Sequence, residues 1–202
     1  LRPFFPPAQA APPPGAQRPV PGARLVVIDP GHGGGDVGAI GINGIQEKEL
    51  VLDVSRQVAQ LLSRSGLNAQ LSRPDDTEID LEPRVAFASQ RNADLFVSIH
   101  ANSISLDQPE INGLETYYYN SEAAGRLARS IHTAILETVP IRDRGIRQAR
   151  FYVLRRTTMP AVLVEIGFVT GNEDGPRLQQ ASHRRLLAEA IARGITSYAR
   201  QN

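Results

Sequence analysis

Apolar positions along this chain fall into short continuous runs that alternate with longer stretches of helical spacing. The runs "RLVVID" (24–29), "DLFVSIH" (94–100) and "AVLVEIG" (161–167) lack the every-other-residue polarity of a half-exposed strand and predict strands buried on both faces. "NAQLSR" (68–73), "GLETYYY" (113–119) and "FYVL" (151–154) supply three more, with "GLETYYY" a candidate edge. Between them, residues 46–65 carry Leu50, Val51, Val54, Val58, Leu61 and Leu62 on one helical stripe, with Gly66 as a stop. A shorter helix is expected over 81–93, where Pro83 suits a first turn. Two more, near 121–139 and 184–200, show apolar residues in register. Alternating elements predict a single-domain α/β sandwich, a mostly parallel or mixed twisted sheet of about six strands with helices on both faces.

At 202 residues, 41% hydrophobic and 21% charged, the chain has material for one globular domain with a substantial core. Residues 1–22 hold eight of the fifteen prolines. That density blocks helix and sheet ladders, so the segment reads as a proline-rich linker preceding a catalytic domain over 23–202. A linker implies an upstream module, such as one that targets the cell wall, and any export signal would also lie upstream. No apolar stretch approaches the length needed to cross a bilayer. A net charge of +1 gives no field for a polyanion, so nucleic acid is not an expected partner. Cysteine is absent, which removes thiol nucleophiles, thiolate metal sites and disulfides together.

The glycine cluster in "VVIDPGHGGGDVGAI" (26–40) contains a literal G-x-G-x-x-G. A phosphate site needs those glycines to open directly into a helix, whereas here Gly41 and Gly44 postpone it, and Lys48, the sole lysine, is misplaced for a P-loop. The strand ends carry a different chemistry. His32 follows the first strand, His100 closes another, Glu47 starts the first helix and Glu165 sits near the end of "AVLVEIG". In open α/β sheets ligands bind beyond the carboxyl ends of the strands. Two imidazoles and a carboxylate converging there would make a catalytic zinc site with one open position. Glu165, among residues that favour burial, is either paired with an arginine or poised beside the metal. His132 and His183 lack such placement and read as structural or solvated.

These blocks resemble the zinc-dependent N-acetylmuramoyl-L-alanine amidases of the amidase-3 type over roughly residues 24–200. "VVIDPGHGGGDVGAIGINGIQEKEL" is similar to the opening signature, which would make His32 and Glu47 zinc ligands. "DLFVSIHAN" resembles the segment of the third, His100, and "MPAVLVEIGFVTGNED" the closing block, with Glu165 catalytic. The resemblance implies one zinc per chain and a zinc-activated water as nucleophile. The bond cut would join the muramic acid lactyl group to the stem peptide's L-alanine, in wall remodelling, division or cell separation. It also implies a monomer working on peptidoglycan in the periplasm or extracellular wall. Asp29 and Asp36 are either partners of the ligand imidazoles or turn residues. Gly171 departs from the closing signature. The inhibitory helix that some division amidases insert finds little spare length here, which predicts an open site needing no activator. Arginines crowd 141–156, and Arg147 and Arg150 are the candidates for holding stem-peptide carboxylates. A binding module on the same fold is the competing reading, although binding alone needs no base beside the metal.

Overall fold

The computed structural model describes residues 23–201 apart from Asn120, so the predicted linker over 1–22 lies outside the described residues. Six strands form one mixed sheet in the order β2-β1-β3-β6-β4-β5. β1 (Leu25–Pro30), β2 (Asn68–Leu71), β3 (Leu95–Asn102) and β6 (Ala161–Phe168) are parallel. β4 (Leu114–Tyr118) runs antiparallel to β6, and β5 (Asp143–Gln148) is parallel to β4. Helices α1 (Glu47–Arg64), α3 (Glu122–Leu136) and α6 (Ala181–Gln201) cover one face, α2 (Leu81–Gln90) and α4 (Tyr152–Arg156) the other. The short α5 (Asp174–Gln179) packs beside α6 and β6. Alternation survives inside the apolar runs: Val26, Ile28, Val97, Ile99, Val162 and Val164 face the three long helices. Val27, Phe96 and Leu163 face α2 and α4.

Three expectations need correction. "FYVL" is not a strand: Leu154 and Arg155 donate their N–H groups to the Phe151 carbonyl, and the adjacent Val153 and Leu154 bury together as one helical turn. A single turn is too short to show helical period. The sixth strand is instead β5, "DRGIRQ", whose one apolar side chain, Ile146, reflects an edge strand with one neighbour. β4 is consequently not an edge, because it pairs with both β6 and β5.

Both remaining histidines are structural. His132 joins α3 to the sheet through Thr116 Oγ1 (2.9 Å) and Asp143 Oδ1 (2.9 Å). His183 is buried at the start of α6, and burial pushes its pKa down. Gly171 also has a physical account: a Cβ there would lie 2.1 Å from Asn112 Oδ1, the atom that accepts the N–H groups of Glu173 and Asp174. The residue makes room for the amide that shapes the loop after β6.

Asp29, 1% exposed at the end of β1, ties three elements together. Its carboxylate accepts from Ser72 Oγ (2.5 Å), Ser98 Oγ (2.8 Å) and Arg84 Nη1 (2.9 Å). Removing one partner of a buried pair strands the other charge. Arg84→Ala is therefore expected to lower unfolding stability by about 3–5 kcal/mol, read from the urea midpoint. A stability loss below about 1 kcal/mol would show that the two serine hydroxyls alone satisfy Asp29.

Candidate active site

Where β1 ends, the backbone passes directly against β3. Gly31 N–H donates to the Ile99 carbonyl (3.0 Å), and a Cβ on Gly31 would sit 2.2 Å from the His100 ring. No other residue fits there. His32 follows with φ of 57°, a left-handed conformation that costs a non-glycine residue energy. Two buried guanidinium groups hold it. Arg73, fully buried, donates to the carbonyls of Pro30 (3.0 Å) and Gly31 (2.6 Å), and Arg84 to those of Pro30 (2.6 Å) and His32 (2.7 Å). Three successive carbonyls are thus fixed from below, which over-determines the strained turn.

The turn delivers His32 to Glu47, the first residue of α1. Glu47 Oε2 lies 3.1 Å from His32 Nε2, and Oε1 lies 3.0 Å from His100 Nδ1. The same two oxygens accept the Ala39 (2.9 Å) and Ala101 (3.0 Å) N–H groups. One potential ligand atom from each of His32, Glu47 and His100 falls within 4.8 Å of the others. Burial opposes the Glu47 charge, but the two imidazoles outweigh it and hold the pKa far below the usual carboxylate range. Burial likewise opposes a charged His32, yet Glu47 and Asp36 raise its pKa to about 8. Two imidazoles with one carboxylate are a donor set that suits zinc.

The open question over the two aspartates resolves differently for each. Asp36 Oδ2 meets His32 Nδ1 at 2.8 Å, and its other oxygen accepts the Gly38 N–H (3.0 Å). With Nδ1 donating to Asp36, Nε2 is aimed at Glu47 and the cluster, where it donates a second proton to Glu47 that a bound metal would displace. Asp29 instead serves the serines and Arg84.

Glu165 arrives on the neighbouring strand, paired in register with His100 of β3 and with Glu115 of β4. Its Oε2 is shut off from solvent and has no hydrogen-bond partner, and no described arginine pairs with it. Desolvation, reinforced by the Glu47 and Glu115 charges against the pull of His100 and His32, raises its pKa to about 7. A carboxyl in that state accepts and returns a proton near neutral pH.

Arg147 lies on β5, half exposed, with Nη1 3.4 Å from Glu115 Oε1. Arg150 is exposed beyond the end of β5. Neither lines the cavity that holds His32, His100 and Glu165, so the structure does not bring them into that cluster. Glu115 went unnoticed in the sequence, although "GLETYY" buries a carboxylate as "VLVEIG" does. Asn102 (2.9 Å), Tyr117 (2.8 Å) and Arg144 (3.0 Å) all donate to it. The fully buried Arg73 and Arg84 carried no local signal at all.

Comparison with known proteins gives the family. A family model described as N-acetylmuramoyl-L-alanine amidase matches residues 26–197. The solved structure of the amidase AmiC2 of Nostoc punctiforme superposes with a TM-score of 0.85 at 48% identity, covering 88% of this chain and 97% of that one. N-acetylmuramoyl-L-alanine amidase LytC of Bacillus subtilis is 44% identical over 88% of this chain, which spans only 36% of that relative. AmiA of Escherichia coli is 33% identical, covering 88% of this chain and 76% of its own length. Its alignment runs over 223 positions, more than the whole of this chain, so AmiA carries sequence with no counterpart here. A family match that runs from β1 into α6, on a fold shared with solved amidases, makes this chain a member of the N-acetylmuramoyl-L-alanine amidase family.

Proposed function

We propose that this chain hydrolyses the amide between the lactyl group of N-acetylmuramic acid and the L-alanine of the stem peptide, with His32, Glu47 and His100 holding one zinc ion. The observation that carries the reading is the meeting of those three side chains beside an unpartnered carboxyl on the adjacent strand. Bound there, zinc supplies the Lewis acidity that activates water and stabilises charge on the scissile carbonyl oxygen. Glu165 takes the proton of the attacking water and returns it to the departing alanine nitrogen. Asp36 keeps the His32 ring oriented, and the Arg73–Arg84 pair keeps its backbone turned towards the site. Arg147 and Arg150 remain the side chains we assign to stem-peptide carboxylates, outside the cavity itself. A peptidoglycan substrate places the enzyme in the periplasm or the outer wall. No helix of the described residues is long and apolar enough to cross a membrane.

The site needs no activating partner. Between β3 and β4 the chain makes only turns, with no helix that could lie over the cluster, and the longer AmiA alignment fits an insertion that this chain lacks. The test is digestion of purified muropeptides by the chain alone, followed by mass spectrometry. Free stem peptide is expected, abolished by a chelator and restored by zinc. Tight binding without release would favour a wall-binding module, single amino acids would indicate a carboxypeptidase, and dependence on an added protein would reject the open site.

A further inference from the structure

A cleft of about 320 Å3 opens from His32, His100 and Glu165 towards the helix-lined face of α2 and α4. Its two flanks are large apolar side chains that the fold leaves in water. Leu81, at the start of α2, is 53% exposed and Phe151, ahead of α4, is 40% exposed. Neither position serves the core. The Phe151 ring is nonetheless fixed, because Tyr117 packs edge-on against it at 5.1 Å and is itself tied by its hydroxyl to Glu115. Exposed apolar side chains held rigid beside a reactive cluster mark a ligand surface.

The rim of the cleft is acidic, formed by Asp36, Glu78 and Asp80. Asp80 precedes α2 without capping it, so its carboxylate is not used by the helix. The one guanidinium in the lining, Arg84, is consumed by Asp29 and by the Ile79, Pro30 and His32 carbonyls. At the floor is the unpartnered Glu165 Oε2. Away from His32 and His100, this rim offers an anionic ligand no free cation. A neutral ring with an apolar face and a few hydroxyl and amide N–H donors fits both the aromatic wall and the carboxylate rim.

We infer that this cleft is the glycan subsite, in which the pyranose ring of the muramic acid stacks on Phe151 and donates hydrogen bonds to Asp80 and Glu78, while the carboxylate-bearing stem peptide leaves over the arginine-rich β5 side. The inference rests on the amidase reading. It makes Phe151 and Asp80 determinants of sugar recognition and gives the substrate one direction across the site.

The experiment compares two soluble substrates with the same stem peptide, one N-acetylmuramoyl-peptide and one D-lactyl-peptide lacking the sugar ring. Wild type is expected to cut both at the same amide, with a kcat/KM about ten-fold higher for the sugar-bearing one. Phe151→Ala and Asp80→Asn are each expected to remove most of that ratio, with Phe151→Leu as the variant that keeps bulk without a ring should alanine disturb folding. Equal losses on both substrates would place the peptide in the cleft and overturn the inference, as would a wild-type ratio near one. Failure of wild type to cut either substrate would overturn the amidase reading itself.

Discussion

Glu165→Gln is expected to lower turnover of muropeptides by about 10^2–10^4-fold, the usual worth of a positioned general acid–base group, while the protein still binds one zinc ion. The amide keeps the shape of the carboxyl but cannot take a proton, and Glu165 is not among the three side chains that meet as potential ligands. Stopped assays give the rate and elemental analysis gives the metal. Loss of zinc in this variant would make Glu165 a ligand, and turnover within ten-fold of wild type would remove it from proton transfer. The same substitution has a second readout in metal-stripped protein. Burial raises the folded-state pKa from 4.5 to about 7, so the native state binds its proton more tightly than the unfolded chain does. Stability contributed by this group is therefore present at low pH and declines as pH rises from 4.5 to 7. A neutral glutamine escapes the decline. Glu165→Gln should exceed the stripped wild type in stability by about 2–3 kcal/mol at pH 8, and the gap should close towards pH 4.5. With zinc bound, the cation favours the carboxylate and the gap should shrink at every pH.

This tension between burial and charge explains why two residues of the proposed site stood out in the sequence. Glu165 in "VLVEIG" and His100 at the end of "LFVSI" violate their apolar surroundings, and a residue that costs burial energy without a local partner announces a task. Glu115 violates its surroundings in the same way, yet "GLETYY" reads as an exposed edge unless one knows that β5 closes over it. The buried strands were legible because a continuous apolar run has one economical place in an α/β sheet. β5 and α4 were not. β5 needs only one apolar residue because one neighbour and one face suffice, and α4 is a single turn whose three apolar residues lack the length to show a period. Arg73 and Arg84 were invisible for a different reason. Their roles are to satisfy carbonyls of Pro30, Gly31 and His32 from more than forty positions away in sequence, and nothing local to an arginine reports which distant backbone it will hold.

His32→Ala should abolish both metal binding and activity, and the loss should be recovered by no concentration of added zinc that leaves the protein soluble. Three ligands are the minimum for a catalytic zinc with an open position, and the remaining pair, Glu47 and His100, would keep only one imidazole. The substitution also removes the partner of Glu47 Oε2 at 3.1 Å and of Asp36 Oδ2 at 2.8 Å, so two carboxylates turn to water. Asp36→Asn separates ligation from orientation. It leaves three ligands in place but withdraws the charge that fixes the His32 ring, and zinc affinity is expected to fall by about 10–100-fold, with activity returning at saturating metal. Chelator competition measures the affinity and elemental analysis the stoichiometry. A His32→Ala protein that still held one zinc would place the ion elsewhere. Asp36→Asn with wild-type affinity would show that the strained turn, locked by Arg73 and Arg84, orients the imidazole without help. In the order His32→Ala, Asp36→Asn, wild type, metal retention should rise step by step. That order follows from the proposed ligation: an atom that would touch the ion matters most, and an atom one hydrogen bond behind it matters in proportion to how well the backbone already points the ring.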